Sequence, residues 1–236
     1  MILVVNDYDG LYGKFWSHLG GEITTDSAIL FTDPSSIKLV CFTGGEDVSP
    51  ELYGHRNLES GNSKARDEKE VLIFEQAKKH GIPMTGICRG SQFINVMCGG
   101  TMVQHLTASH GGGRHQCETI DGKEFQVTSS HHQMSVPGEG GEVLAWAHIR
   151  LKPGHCVYDG KLPEIVMEED EDGQYVRVTE AIYYPELKAF AVQHHPEWQK
   201  IEEDAPQWTL DKIAELCWGQ ERRQRTLDEV TELFGA

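Results

Sequence analysis

Cations are scarce in this sequence: 21 lysines and arginines stand against 37 aspartates and glutamates, a formal net charge of −16. A chain of that sign does not bind nucleic acid by neutralising phosphates, and anionic surfaces repel it. Long apolar runs are absent, so nothing reaches membrane-spanning length. The start, Met1-Ile2-Leu3-Val4-Val5-Asn6, lacks the basic residues and the length of a secretory signal. A cytoplasmic location is the expectation. No Cys-x-x-Cys pair occurs among the six cysteines at 41, 88, 98, 117, 156 and 217, which removes support for redox-motif and zinc-ribbon readings. Without a secretory signal, free thiols are expected over disulfides, with Cys41, Cys98 and Cys217 as small core residues. There is no internal repeat and no low-complexity linker. At 236 residues the chain suits one domain spanning 1–236.

What is present is an alternation of strands and helices. Ile2-Leu3-Val4-Val5 reads as a buried strand. Leu11, Tyr12, Phe15, Trp16 and Leu19 follow at helical spacing and stop at Gly20-Gly21. Residues 37–42 form an apolar strand ending in Thr43-Gly44-Gly45. Residues 67–80 predict a helix with Val71, Leu72, Phe74 and Ala77 inward. A strand at 82–85 and a helix at 91–98 come next. This order predicts an α/β fold of three layers, with a mostly parallel central sheet and helices on both faces. The second half is richer in strands, predicted at 124–128, 143–146, 175–178 and 190–193, and these add an antiparallel part. The acidic run 168–172 before Gly173 reads as a solvated hairpin tip. Two helices close the chain, the second opened by a Thr226-x-x-Glu229 capping box.

The chemistry gathers at Gly86-Ile87-Cys88-Arg89-Gly90. A strand that turns sharply into a helix through Gly-x-Cys-x-Gly is a nucleophile elbow: the glycines let two backbones pass closely, and the turn pushes the side chain out. The thiol then sits near a helix N-terminus, where N–H groups favour negative charge. In Gln193-His194-His195-Pro196-Glu197, His195 can take the thiol proton and Glu197 can hold the imidazole in one tautomer. In extended backbone, residues two apart point to the same side. An oxyanion needs N–H donors; Arg89 offers one from its backbone, and Gly45 in the neighbouring glycine-rich loop offers the other. Each segment alone has a bland reading, as a structural thiol or a surface turn; their joint occurrence after two apolar strands favours catalysis. The spacing of His105, His110, His115 and Cys117 does not forbid a metal, but the intervening Gly111-Gly112-Gly113 leaves it loose, and no metal is expected. Asp7 and Asp9 are read as capping the helix after the first strand rather than as magnesium ligands.

These motifs resemble the class I glutamine amidotransferase-like superfamily, in particular its γ-glutamyl hydrolase branch. The resemblance covers most of residues 37–198. It runs through Gly44-Gly45-Glu46-Asp47-Val48-Ser49-Pro50, Arg66-Asp67 and Glu70, the elbow, Gln92, Asn95, Gln104-His105-Leu106, Ser130-His131-His132-Gln133, Glu180-Ala181-Ile182 and the His-Pro-Glu segment. It implies a catalytic triad of Cys88, His195 and Glu197, no cofactor, and substrate-side positions at Glu46, Asp47, Gln92, His131, His132 and Gln133. The α-amino and α-carboxylate groups of a γ-glutamyl substrate need polar partners. The loop of Glu46 and Asp47, the His131-His132-Gln133 segment, and Arg66 or Arg89 are the candidates. The chain departs from the family pattern at His194, where an aromatic residue is usual, in a shorter N-terminal part similar to that of amidotransferase subunits, and in an insertion at 147–168.

The resemblance implies a thiol hydrolase that forms a γ-glutamyl thioester and releases glutamate and an amine. The same chemistry serves a glutaminase subunit that supplies ammonia to a separate ATP-dependent synthetase. A silent binding module on this fold is the least favoured reading, since all three triad residue types are present. A small γ-glutamyl substrate is the expected partner, a synthetase the second; a homodimer stays open.

Overall fold

The computed structural model describes residues 1–107 and 112–219. The first half runs β1 (Ile2–Val5), α1 (Leu11–Trp16), β2 (Ile23–Thr24), α2 (Ile29–Thr32), β3 (Leu39–Phe42), α3 (Lys64–Lys79), β4 (Met84–Ile87) and α4 (Arg89–Met97). The second half runs β5 (Thr101–Val103), β6 (His105–Leu106), β7 (Gly113–Thr119), β8 (Glu124–Ser129), β9 (Met134–Val136), β10 (Glu142–Leu151), β11 (Cys156–Val157), β12 (Met167–Asp170), β13 (Gly173–Tyr184), β14 (Ala189–Val192) and α5 (Asp204–Trp218).

Every residue of β1, β3, β4 and β14 is buried. A strand covered on both faces is apolar on both, which is why these segments read as unbroken apolar runs. They lie parallel in the order β2-β1-β3-β4-β14. Beyond β14 the sheet continues antiparallel through β13, β10, β7 and β8. Alternation along β1 sorts the two faces. Ile2 and Val4 pack with Phe15 and Trp16 of α1 and Trp208 and Ile213 of α5. Leu3 and Val5 pack with Leu30 of α2, Phe74 of α3 and Phe93 of α4. The fold is therefore the expected three-layer α/β arrangement, with antiparallel strands extending the sheet. Each large side chain in these layers carries real weight: truncating a fully buried tryptophan such as Trp16 costs about 3–5 kcal/mol.

Two expectations need correction. Helix α3 begins at Lys64 and buries Asp67, Glu70, Ile73, Phe74 and Ala77, whereas Leu72 is 61% exposed. Two carboxylates occupy its inner stripe because they answer a buried arginine, which no apolar periodicity reports. The segment 147–168 contains sheet, since β10 runs on to Leu151 and β12 begins at Met167. The acidic run is not all hairpin tip: Met167–Asp170 pairs with β13, Glu168 accepts hydrogen bonds from Tyr175 and Arg177 at 2.6 Å each, and Asp170 pairs with Arg150. Cross-strand pairing with cations lets an acidic stretch sit in a ladder. The expectations at His110 and Gly111 and at the Thr226–Glu229 capping box lie outside the described residues.

Candidate active site

Cys88 is placed by what its neighbours lack. A Cβ on Gly90 would run into the Phe42 carbonyl, and one on Gly86 into the main chain of Gly90. Only hydrogen fits where β4 turns into α4. The turn holds Cys88 at φ 54°, ψ −110°, a conformation that a non-glycine residue keeps only when its surroundings enforce it. The Cys88 N–H is tied to the Val192 carbonyl at 2.8 Å. The side chain stands at the N-terminus of α4, 7% exposed.

His195 follows β14 as Cys88 follows β4. The two strands are parallel neighbours, so both residues leave the sheet at its carboxyl edge, where such sheets collect their reactive groups. The His195 N–H donates to the Thr128 carbonyl at 3.2 Å, and the Thr128 hydroxyl donates to the His195 carbonyl at 2.5 Å. The ring is held from three sides. Nδ1 lies 2.6 Å from Glu197 Oε1 and Nε2 lies 3.0 Å from Ser130 Oγ. Trp198 stacks on its face, with centroids 3.7 Å and planes 2° apart. Burial pulls the imidazolium pKa down, but hydrogen bonds and charge from Cys88 and Glu197 outweigh it and carry the group up to about 10. Glu197 reaches His195 by another route than the expected extended backbone. Pro196–Trp198 is a 3₁₀ turn, and the turn swings the second residue back to the ring.

Gly45 sits at φ 133° with the Arg66 guanidinium where a Cβ would go. Arg66 Nη2 donates to the Thr43 and Gly44 carbonyls at 3.0 and 2.9 Å, and Nε donates to Glu70 at 2.8 Å. Arg89 is 1% exposed, pairs with Asp67 and Glu70, and lies over the Phe93 ring. The Arg89 guanidinium is thus committed to the scaffold, and Arg66 is held there through Nε and Nη2 with Nη1 against Gly45. The Arg89 N–H is different: in the first turn of α4 it has no intrahelical acceptor.

A cleft of about 630 Å³ joins Cys88 and His195 to Gly45, Glu46, Asp47, Gln92, His131 and His132. Gln92 Nε2 donates to Gln193 Oε1 at 3.2 Å. His131 is anchored through Nδ1 to the Gln133 carbonyl at 2.8 Å. His132 bridges Asp47 at 3.3 Å and His105 at 3.0 Å. Gln133 is a correction: it is fully buried and donates to the Gln104 carbonyl at 3.1 Å. The Gln104 side chain in turn accepts from the Leu58 N–H and donates to the Arg56 carbonyl, at 2.8 Å each. Gln133 therefore supports the loop at the cleft rim instead of lining the cleft. His194 faces away, 3.6 Å from Glu180 and 3.4 Å from Thr209, and burial lowers its pKa.

Five cleft residues are not among the candidates the sequence offers: Tyr12, Glu59, Gly61, Ser130 and Trp198. By its spacing Tyr12 belongs to the apolar stripe of α1. Its phenol is kept neutral, its pKa raised by burial first and then by the charges of Glu197 and Cys88. Adjacency to His131 and to Glu197 was the available signal for Ser130 and Trp198; Glu59 carried none. A larger cavity of about 910 Å³ lies at the amino ends of the parallel strands, by Met1, Lys38 and Ile82, away from this chemistry.

Among the described residues no group of three or more His, Cys, Asp or Glu side chains could hold a metal. His105 meets His132, His115 meets Glu180 at 2.9 Å, and Cys117 is fully buried. Asp7 and Asp9 accept the N–H groups of Gly13 and Leu11, at 2.8 and 3.1 Å, at the start of α1. No helix among the described residues is long and apolar enough to cross a membrane.

The sequence profile of the peptidase C26 family matches residues 24–197. A Mycobacterium tuberculosis protein, named provisionally as a glutamine amidotransferase, is 31% identical over 167 residues, 69% of this chain and 51% of that protein. The γ-glutamyl-γ-aminobutyrate hydrolase of Escherichia coli is 29% identical over 164 residues, 66% of this chain and 62% of that one. The matched stretch thus spans only part of these relatives. A glutamine amidotransferase structure from Thermotoga maritima superposes with a TM-score of 0.61 at 13% identity, covering 92% of this chain and 97% of that one. One from Methylobacillus flagellatus gives 0.54 at 12%, covering 96% and 97%. At such identities these two structures speak for the fold alone.

Proposed function

Because the chain belongs to the peptidase C26 family, we propose that it is a cysteine-dependent hydrolase of γ-glutamyl amides, with Cys88 as nucleophile, His195 as acid and base, and Glu197 orienting His195. The observation that carries this reading is the 2.6 Å contact of Glu197 with a His195 ring that also engages Cys88 on its elbow. The thiolate adds to the γ-carbonyl carbon, and the carbonyl π pair moves onto oxygen. That oxyanion takes hydrogen bonds from the backbone N–H groups of Arg89 and Gly45. Collapse breaks the C–N bond, and the amine leaves with the proton of the His195 imidazolium. A γ-glutamyl thioester remains. Water then gives a proton to the neutral His195 as its oxygen adds to the thioester, and the second collapse releases glutamate and restores the thiolate beside the imidazolium. Every proton and electron pair is accounted for by these groups, substrate and water.

The test is glutamate release from glutamine and a panel of γ-glutamyl amines. Cys88-dependent cleavage of a γ-glutamyl amine above glutamine is expected, with Cys88→Ala slower by at least about 10³-fold and still folded. Undiminished release by that variant would overturn the assignment. The name of the Mycobacterium tuberculosis relative favours a second reading, a glutaminase subunit feeding ammonia to a separate synthetase. Glutaminase turnover that is slow alone and rises strongly on adding a synthetase would select it.

A further inference from the structure

The next step rests on the hydrolase reading and concerns the amine that leaves. A substrate of that class brings one α-ammonium, one α-carboxylate and whatever charge its amine tail carries. Three carboxylates line the cleft, from Glu46, Asp47 and Glu59, and no lysine or arginine does among the described residues. The nearby cations are already neutralised: Arg66 by Glu70, Arg89 by Asp67 and Glu70, and Arg56, on the same loop as Glu59, by Asp159 at 2.6 Å. Asp47 is occupied with the Gly61 N–H at 2.9 Å and with His132 at 3.3 Å. Glu46 and Glu59 stand exposed in the cleft. One carboxylate satisfies an α-ammonium, so the wall carries more negative charge than the γ-glutamyl group needs. The charge of −16 on the whole molecule acts in the same direction.

We infer that the released amine is itself cationic: the cleft takes γ-glutamyl derivatives of diamines in preference to those of amino acids. The nucleophile defines the site, and the charge of its walls selects the tail. A tail ending in carboxylate, such as the one in the name of the Escherichia coli relative, would meet the exposed carboxylates of Glu46 and Glu59, while Arg66, which acts on Glu46 from behind Gly45, is already held by Glu70. Placing like charges together costs affinity and slows encounter.

The experiment compares kcat/KM for three matched substrates: the γ-glutamyl amides of 1,4-diaminobutane, butylamine and 4-aminobutyrate. The expected order is diamine, then butylamine, then aminobutyrate, with about tenfold or more between the extremes. Glu46→Gln and Glu59→Gln should each narrow that ratio by up to roughly fivefold, and about 0.5 M sodium chloride should shrink it further. The ratio is internal to each variant, so a lower folded fraction does not disturb it. Cleavage of all three without charge order, or with aminobutyrate ahead, overturns this inference alone. Cleavage of none of them, with glutamine hydrolysed only beside a synthetase, defeats the hydrolase reading and this inference together.

Discussion

The charge of His195 is set by its neighbours. Burial alone would strip the proton from the ring, and Cys88 is the foremost influence that keeps it there, followed by Glu197. Cys88→Ala should therefore drop the imidazolium pKa well below about 10, read by NMR titration of the ring. The sign for stability follows. A histidine whose folded pKa is raised stabilises the fold fully below its unfolded pKa of about 6.5 and loses that contribution as pH rises toward about 10. Native protein should lose stability across that window more steeply than Cys88→Ala, seen in urea midpoints at several pH values. In the proposed mechanism Glu197 acts through the ring. Glu197→Gln keeps the shape but not the charge, and a fall of kcat by about 10²–10⁴-fold with KM little changed is expected from steady-state kinetics.

The element that matters most is the β4–turn–α4 unit. Its pentapeptide was legible because close backbone approach and an outward side chain demand glycine at both flanks, and the Phe42 carbonyl against Gly90 is that demand in atoms. Gly90→Ala should cost about 1–3 kcal/mol or more through overpacking, seen as a lower urea midpoint, and should cut activity by displacing Cys88. The stripe of α3 departs from apolar spacing for a reason of the same kind. Apolar spacing assumes that a helix buries hydrocarbon, and α3 buries Asp67 and Glu70 to meet Arg89. A turn at Pro196–Trp198 replaces the extended backbone expected there, yet Glu197 still meets His195; adjacency in sequence suffices for contact under either geometry.

Across the whole molecule, charge and burial pull against each other. Glu70→Ala leaves Arg66 without a carboxylate and Arg89 with Asp67 alone, and removing one partner from a buried ion-pair network costs about 3–5 kcal/mol; a fall of that size in unfolding free energy by denaturant titration is the expected result. The fold class, the buried parallel strands and the candidate triad could be read from the chain alone, because each rests on local rules. Apolar runs mark strands covered on both faces, glycines mark forced backbone approach, and a base-and-acid pair two residues apart needs no distant partner. Other features depended on segments remote in sequence. That Arg66 and Arg89 serve the scaffold, that Gln133 braces a loop, and that Ser130, Tyr12, Trp198 and Glu59 wall the cleft were decided only when β8, α1 and the loop at 55–62 came together. A side chain's partner is a property of packing, and no one-dimensional period encodes contacts between residues such as Arg56 and Asp159, which stand 103 positions apart.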